Sequence, residues 1–397
     1  MKQSYDVVIV GAGMVGLAAA GLLSRHEQLR ITVIDAGPRP VFNADDELSL
    51  RVSAIAPGSV DVLSTIGAWS EIIEARACPY RDMKVWDAAG NVEGPETLVF
   101  SAAEFAVTQL GFIVENVLIR HALLNQLDNS EVDIRFDTSI NSVSRIGHRF
   151  EIELEKGEIL KPDLLIGADG ANSFIRGGAG IGIKSWPHAQ KAFVTCLQPE
   201  LSHRNTAWQR FLKTGPIGLL PLSDGRVSIV WSTTPEQAEE ALSMSDGELS
   251  VKLTKVTDGM LGNLAPSGLR GAFPLNSQHA AEYVQEGLAL IGDAAHTVHP
   301  LAGQGVNLGI ADAECLVNVI ADAIQADENP GDLPVLRNYE RARKGANKTM
   351  LHFMDGLNKL FSNESASLAR LRGVGMYAFN KSGPIRAHAV KVALGIR

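Results

Sequence analysis

A glycine-rich turn near the N-terminus has the spacing of a phosphate-binding loop. Gly11-Ala12-Gly13-Met14-Val15-Gly16 follows a valine-rich apolar run, Tyr5 to Val10, and precedes residues with helical spacing. In a strand–turn–helix unit the first glycine permits the tight turn, the second lets the backbone approach a pyrophosphate, and the third lets helix and strand pack closely. Asp35 ends a second predicted strand and can accept hydrogen bonds from ribose hydroxyls. The motif therefore predicts dinucleotide binding, but it does not separate FAD from NAD.

A second candidate contact lies near residue 290, where a buried strand is predicted to end in Gly292-Asp293. A carboxylate at this edge of a parallel sheet can hold a ribitol hydroxyl of a flavin, although a helix N-cap is the alternative interpretation of Asp293. The run from Pro300 through Val306 and Asn307 then opens a predicted helix. Its free amides, at Gly303, Gln304 and Gly305, can stabilise negative charge on a reduced flavin. This second set of contacts favours FAD over NAD.

The remaining polar and aromatic candidates each have a structural alternative. Asp169-Gly170, followed by Arg176, also lies at a predicted strand end, where an ordinary Asx-type turn explains it equally well. His296 and His299 are interpreted as partners of backbone carbonyls rather than as general bases. Four aromatic side chains could line an apolar pocket but are more often sheet core: Trp186, Trp208, Trp231 and Phe211.

Charge and composition exclude several classes of function. The chain has 397 residues and a formal net charge of -9, which argues against nucleic-acid binding. Its charge is uneven, since residues 337–397 contain 12 basic and 3 acidic residues, so this basic tail is expected to meet a membrane surface or the acidic body of the protein. Its three cysteines are scattered, which predicts no metal site and no disulfide framework. Without a signal peptide or an apolar run long enough to span a bilayer, the chain is expected to be cytoplasmic, with peripheral contact on the inner membrane face left open.

Several stretches, taken together, resemble one enzyme family. The chain is similar to the group A flavoprotein monooxygenases of the para-hydroxybenzoate hydroxylase type, and more narrowly to the ubiquinone-biosynthesis hydroxylases. The resemblance covers nearly the whole chain. It rests on the three motifs above and on four further stretches: Leu50 to Ile55, Tyr80 to Asp87, Ile113 to Asn116, and His299 to Gly309.

The resemblance implies an α/β fold: a Rossmann-like FAD-binding domain with an inserted antiparallel β-sheet substrate domain and a C-terminal helical tail. The expected boundaries are 1–80, 113–182 and 280–335 for the FAD-binding domain, 81–112 and 183–279 for the substrate domain, and 336–397 for the helical region. Within these regions the sequence predicts mostly helix and loop over 48–75, a strand meander over 134–160, and one helix, near 235–242, interrupting the strands of the substrate domain.

The resemblance also implies the reaction. NAD(P)H as co-substrate reduces FAD, dioxygen then gives a flavin C4a-hydroperoxide, and the ring of a polyprenylphenol receives a hydroxyl group. Arg51 is implied to lie beside the flavin and Arg120 to touch FAD, with a surface ion pair and an exposed helix arginine as the respective alternatives. The full set predicted to bind the cofactor is Gly11, Ala12, Gly13, Met14, Val15, Gly16, Asp35, Arg51, Arg120, Asp169, Gly170, Gly292, Asp293, Pro300, Gly303, Gly305, Val306 and Asn307.

Other functions of a flavin protein stay open from the sequence. An epoxidase or a prenyl reductase would use the same cofactor, whereas the Trp-x-Trp-x-Ile-Pro signature of halogenases is absent, since Ser-Thr-Thr-Pro follows Trp231. A flavin-binding scaffold within a quinone-biosynthesis complex is the alternative that needs no turnover. The ring carbon, the prenyl length, the choice of NADH or NADPH, and the oligomeric state, a homo-oligomer included, are not fixed by the sequence.

Overall fold

The computed structural model describes residues 5–299, 304–361, 366–383, 386, 387 and 391. Its strands are β1 (Tyr5–Val10), β2 (Leu29–Ile34), β3 (Val52–Ile55), β4 (Cys78–Tyr80), β5 (Asp82–Asp87), β6 (Leu98–Ser101), β7 (Gly111–Glu115), β8 (Asp133–Arg135), β9 (Ile140–Ile146), β10 (Arg149–Leu154), β11 (Ile159–Leu160), β12 (Leu164–Gly167), β13 (Ile183–Pro199), β14 (Thr206–Leu212), β15 (Gly215–Pro221), β16 (Val227–Thr233), β17 (Leu264–Ala280), β18 (Val284–Gln285), β19 (Leu288–Leu290) and β20 (His296–Thr297). Its helices are α1 (Met14–Leu23), α2 (Pro57–Ile66), α3 (Trp69–Ala75), α4 (Asn116–Leu127), α5 (Phe174–Gly178), α6 (Pro235–Ser243), α7 (Asp246–Val256), α8 (Gln304–Gln325), α9 (Leu333–Phe361) and α10 (Ala366–Lys381).

The first sheet positions the predicted dinucleotide motifs. Its strand order is β18-β19-β12-β1-β2-β8, and β1 runs parallel to both β12 and β2. All four residues 7–10 of β1, which point alternately to the two faces, are buried, so the sheet is covered on both faces, and this explains the unbroken apolar run. Val10 pairs with Gly167, and Gly167 pairs with Leu290. The turns that follow β1, β12 and β19 therefore lie side by side at one edge.

The second sheet forms the other wall of the molecule. Its order is β20-β17-β13-β16-β15-β14-β5-β6, and the long strands β13 and β17 pair antiparallel. Most neighbouring strands pair antiparallel, as expected, but β5 joins β14 in a parallel pair. Strand β20 pairs with the end of β17, so the chain just after Asp293 is bonded directly to the second sheet.

Two local predictions were wrong, and a third missed one strand. Residues 48–75 are mostly helix and loop as expected, but 52–55 form β3, which pairs with β7. Strand β8 leaves the predicted meander and joins β2 in the first sheet. A second helix, α7, follows α6 and begins with a capping box between Ser245 and Glu248, a local signal that the sequence carried.

The described part of the basic tail packs on the protein body. Arg372 of α10 forms a buried ion pair with Asp87 at the end of β5, with Nε 2.6 Å from Oδ2. The Asn380 amide donates to the Thr97 carbonyl at 2.7 Å. Of the two partners expected for the tail, the acidic body is the one that α10 contacts. No helix of the described ranges combines the length and the apolar character that a membrane span requires.

The architecture is the expected α/β fold with a Rossmann-like sheet, a second sheet and a helical C-terminal region. We propose the predicted division into three regions, because the strands of the first sheet come from 5–34, 133–167 and 284–290, while most strands of the second come from 82–101 and 183–280.

Candidate functional site

The glycines of the fingerprint have three different environments. Gly11 has φ +109°, and a Cβ on it would lie 2.3 Å from the Ala168 carbonyl oxygen. A Cβ on Gly16 would lie 2.0 Å from the Gly11 carbonyl oxygen, so α1 packs directly on the turn. A Cβ on Gly13, by contrast, would meet no atom within 4 Å. Gly11 and Gly16 therefore permit the turn and the packing, and Gly13 leaves open space above the N-terminus of α1.

Asp35 and Arg120 hold the turn from two sides. The Asp35 carboxylate accepts from the amides of Ala12, at 2.7 Å, and Gly37, at 2.8 Å. Arg120 of α4 donates from Nε to the Ala12 carbonyl at 2.9 Å. Burial lowers the pKa of Arg120, and the nearby Asp35 opposes that shift. Both side chains fix the backbone of Ala12, and Arg120 is thus not an ordinary exposed helix residue.

Asp169 is committed to the turn in which it lies. Its carboxylate accepts from the Ser173 hydroxyl at 2.6 Å and from the amides of Phe174 and Ile175, at 2.6 and 3.1 Å, which caps α5. Arg176 is buried and donates to the carbonyls of Ala171 and Ala294, both at 2.9 Å. The Asx-type alternative therefore describes the side chain of Asp169, while Arg176 ties this turn to the one that contains Asp293.

Asp293 and Arg51 both face the space between the two sheets. Asp293 follows the left-handed Gly292, at φ +58°, and its exposed surface faces a cavity rather than bulk solvent. Desolvation by the cavity walls raises the pKa of Asp293, while His296 and Arg51 oppose this shift. Its carboxylate has no hydrogen bond to any other described residue. Arg51 lies over the Phe273 ring, 5.6 Å from the centroid, and forms no ion pair within the described ranges.

Helix α8 points its first turn at the same space. Gly305 and Val306 line the cavity, and the amides of a helical first turn have no acceptor within the helix. The Asn307 side chain does not line the cavity. It is buried, where it accepts from the Ala56 amide at 2.9 Å and donates to the Ala54 carbonyl at 2.8 Å. It therefore anchors α8 to β3 and α2. Pro300 and Gly303 lie outside the described residues, as does the side chain of Gln304.

A buried charged cluster behind Asp293 escaped the sequence analysis. Asp312 of α8 is fully buried and binds His296 Nε2 at 2.5 Å and Arg343 Nε at 2.7 Å. It also accepts from the Gly292 amide at 3.2 Å. Burial tends to raise the pKa of Asp312, but His296 and Arg343 outweigh it, so the pKa is lowered. The one sequence signal was an aspartate on the apolar face of a helix; the structure shows that it positions the Gly292-Asp293 turn.

His299 is held neutral inside the protein. It is 1% exposed, its Nε2 lies 3.2 Å from the Gln190 side-chain oxygen, and its Nδ1 has no hydrogen-bond partner among the described residues. Burial, aided by His188 and opposed by Asp355, lowers its pKa from 6.5 to about 3. Neither His299 nor His296 lines the cavity. This placement favours a structural role for both over that of a general base. The expectation that they bind backbone carbonyls was wrong for the described residues, because His296 binds the Asp312 carboxylate and His299 the Gln190 side chain.

The neutral His299 predicts a loss of stability in mild acid. The folded pKa lies below the unfolded value of 6.5, so the unfolded chain gains a proton first and stability falls as the pH drops below 6.5. At pH 5 this one group costs about 2 kcal/mol. We expect the loss in free energy of unfolding between pH 7.5 and pH 5 to be smaller by about that amount in His299→Gln. Urea unfolding at both pH values measures it, with the exposed His148→Gln as control; an equal loss in His299→Gln and wild type would contradict the prediction.

A cavity of about 500 Å³ joins these groups between the two sheets. The predicted residues that line it are Gly13, Met14, Val15, Arg51, Gly170, Asp293, Gly305 and Val306. The other described ones, Gly11, Ala12, Gly16, Asp35, Arg120, Asp169, Gly292 and Asn307, are not among its lining residues and shape the turns around it. Of the aromatic candidates, Trp208 contributes to its wall, whereas Trp231 and Phe211 belong to buried clusters elsewhere. Three residues of the second sheet that also line the cavity were not predicted from the sequence: Gln209, Ser228 and Phe273.

The residues of the cavity fit FAD. Open space above Gly13 leaves room for a pyrophosphate at the N-terminus of α1. The Asp293 carboxylate, without a hydrogen bond to any described residue, is free for a ribitol hydroxyl. The first turn of α8 and Arg51 bring positive potential to the far end. One elongated cofactor would therefore fill the space above Gly13, bond to the Asp293 carboxylate, and place negative charge beside α8 and Arg51.

Comparison with known proteins agrees with this geometry. A family model described as "FAD binding domain" matches residues 4–354. The chain belongs to this FAD-binding family. The protein is an FAD-dependent monooxygenase, since its relatives in the family are hydroxylases and monooxygenases that align over almost their whole length.

Two relatives and one solved structure illustrate the match. This flavoprotein is 38% identical over 398 residues to 3-demethoxyubiquinol 3-hydroxylase of Escherichia coli (strain K12), covering 100% of each chain. It is 36% identical to the mitochondrial ubiquinone biosynthesis monooxygenase COQ6 of Xenopus tropicalis, covering 98% of this chain and 93% of that one. The crystal structure of p-nitrophenol 4-monooxygenase PnpA from Pseudomonas putida DLL-E4 shares the fold, with a TM-score of 0.80, 19% identity and 100% of both chains covered.

Proposed function

We propose that this flavoprotein hydroxylates the ring of a polyprenylphenol precursor of ubiquinone, with NAD(P)H and dioxygen as co-substrates. The observation that carries the proposal is the single cavity that runs from the FAD-binding turns to the face of the second sheet. The names of two relatives support the class of substrate: the one at 38% identity is a demethoxyubiquinol hydroxylase, and the one at 36% is a ubiquinone biosynthesis monooxygenase.

The sheet face that closes the cavity suits an aromatic ring with oxygen substituents. Alternate residues of β15 and β16 point into it, as the period of a strand requires, and β14 contributes three consecutive residues, 207–209. Most are small or apolar, for example Ala207, Gly218 and Val230. Three are polar: Gln209 and Ser232 are buried, and Ser228 is fully buried with no hydrogen-bond partner for its Oγ among the described residues. A phenolic or quinone oxygen above this face would satisfy the Ser228 hydroxyl.

The protein groups have distinct tasks in this reaction. Bound FAD supplies the redox chemistry, taking two electrons from NAD(P)H and delivering them to dioxygen. Gly13 to Val15, Asp293 and the start of α8 hold and orient it, and the amides of α8 stabilise negative charge at its end of the cavity. The apolar walls exclude water, and Ser228 and Gln209 orient the ring.

The proposal is tested by NAD(P)H oxidation with and without a short-chain prenylphenol. Stimulated oxidation and a product one oxygen atom heavier are expected. Oxidation that the phenol does not stimulate, with no heavier product, would overturn the proposed substrate class. A bound flavin that NAD(P)H cannot reduce would overturn the hydroxylase itself and favour a scaffold.

Ser228→Ala is expected to weaken the binding of the phenol without destabilising the protein. Removing a buried hydroxyl that has no partner among the described residues costs the fold nothing, whereas the lost bond to the ring raises KM by about two- to tenfold. Steady-state kinetics and thermal unfolding measure the two effects. The control is Ser185→Ala, an exposed serine of β13 outside the cavity. A lower melting temperature with unchanged KM would show that Ser228 serves the fold instead.

A further inference from the structure

A second cavity of about 500 Å³ lies where α9 crosses the beginning of β13 and the end of β17. None of the residues that line it belongs to the lining of the FAD cavity. Its polar and aromatic wall, called the basic pocket below, consists of Lys184, Trp186, His279, Lys344, Lys348 and His352.

The charge of the basic pocket is of one sign. Its described lining includes three lysines and two histidines and no acidic residue, although the chain as a whole has a net charge of -9. Lys344 is held by Glu340 at 2.9 Å. Lys184 and Lys348 form no ion pair or hydrogen bond with another described residue. Two ammonium groups from different elements, β13 and α9, are therefore available to one anion.

The aromatic side chains give the pocket a fixed shape. Trp186 is half-buried, with its ring 6.1 Å edge-to-face from His352 and the Lys184 ammonium 5.2 Å from its centroid. At the back, the buried His279 ring lies 3.1 Å from the Tyr283 hydroxyl. Lysines act as compact point charges and suit a phosphate group. An indole between an apolar and a polar region is typical of a membrane interface.

The surroundings of the pocket favour a phosphate that belongs to a lipid. Ile183, which lines the pocket, is an apolar side chain that is 40% exposed. A soluble phosphate ligand would give this side chain no contact, whereas acyl chains would cover it. The positive charge of the tail region, which includes α9, complements an anionic membrane surface.

We propose that the basic pocket binds the phosphate headgroup of an anionic phospholipid and so holds the protein at a membrane surface. The inference rests on the proposed function, because a polyprenyl substrate is dissolved in a membrane. It deepens that function by naming the group that holds the protein there. The headgroup bond itself involves no turnover, so it is measured separately from hydroxylation.

The test compares two double variants of the FAD-loaded protein in vesicle co-sedimentation. Lys184→Gln/Lys348→Gln removes the two unpaired lysines, and Lys156→Gln/Lys213→Gln removes the same charge from exposed lysines outside the pocket. With vesicles of phosphatidylcholine and phosphatidylglycerol, the pocket variant is expected to bind about twentyfold more weakly, and the control variant much less so. Equal weakening of both variants, or binding that does not depend on phosphatidylglycerol, would overturn the proposal.

Further arms separate the lipid from other phosphates and from the reaction. Brominated lipids are expected to quench the tryptophan fluorescence of the wild type more than that of Trp186→Phe, because the pocket lies at the bilayer. Inorganic phosphate or NADPH could instead displace the wild-type protein, but not the pocket variant, from vesicles. That result would identify a soluble phosphate ligand and overturn the lipid assignment. Hydroxylation of a short, soluble phenol should be unchanged in the pocket variant. A wild-type protein that binds vesicles but does not hydroxylate the phenol would overturn the proposed function and leave the lipid site in place.

Discussion

Gly11→Ala is expected to yield a destabilised protein without flavin. The new Cβ would lie 2.3 Å from the Ala168 carbonyl oxygen, at a backbone position with φ +109°. The unfavourable backbone conformation costs about 1–3 kcal/mol and the steric overlap about as much again. Because Ala168 follows β12, relief of the overlap moves the β1 turn away from the β12 turn and opens the cofactor site. Absorbance of bound flavin and thermal unfolding of the apoprotein are the two measurements.

Gly13→Ala separates binding from folding in this experiment. Gly13 has an ordinary φ of -74°, and its Cβ would meet no protein atom. We expect apoprotein stability close to wild type but an FAD dissociation constant raised about tenfold or more, since charge-assisted bonds to the pyrophosphate are displaced. Gly247→Ala, which also has open space around its Cβ, controls for the added methyl group. If Gly13→Ala bound FAD like wild type, the pyrophosphate would not lie at this turn.

Asp293→Ala is expected to raise the dissociation constant of FAD by about ten- to a hundredfold, since a hydrogen bond to a charged group contributes about 1.5–3 kcal/mol. The carboxylate faces the cavity and has no hydrogen bond to another described residue, so its removal breaks no bond within the described protein. Stability of the apoprotein should therefore be unchanged or slightly increased. Titration of apoprotein with FAD, followed by flavin fluorescence, measures the effect.

Asp293→Asn is the matched variant for this prediction. The amide keeps the size and one acceptor oxygen but removes the negative charge that Arg51 and His296 face. Its dissociation constant is expected to lie between those of wild type and Asp293→Ala. Unchanged flavin content and turnover in Asp293→Ala would show that the ribitol does not lie beside this residue, and the assignment of the whole cavity would fail with it.

Local signals were sufficient for the parts of the fold where motif and strand end coincide. An apolar run and the spacing of three glycines were enough to predict β1, the glycine turn and α1. The steric environments of Gly11, Gly13 and Gly16 match the roles expected of each. The convergence of the turns after β1, β12 and β19 follows from the parallel order of those strands.

Contacts between distant segments could not be predicted in the same way. The parallel pair of β5 and β14 joins residues more than a hundred positions apart, and neither strand contains a local sign of its partner. The bond of Asp312 to His296 and Arg343 unites α8, β20 and α9. Asn307 looked like a cofactor ligand because of its place after the glycines of the motif, yet its side chain anchors α8 to β3. Packing between elements, rather than sequence spacing, decides which polar groups face the cavity.

The order of strands in the first sheet has a consequence for synthesis of the protein on the ribosome. β1 lies between β2 and β12, and β12 pairs with β19, so strands that are far apart in the sequence, at 5–10 and 288–290, must meet before the sheet is complete. A nascent chain that ends before α8 contains the whole fingerprint, but it lacks Asp312, which holds the Gly292-Asp293 turn, and the helix that lines the cavity. FAD that binds only the finished sheet would then shift the folding equilibrium by mass action. The amount of folded protein in a cell should therefore follow the supply of riboflavin.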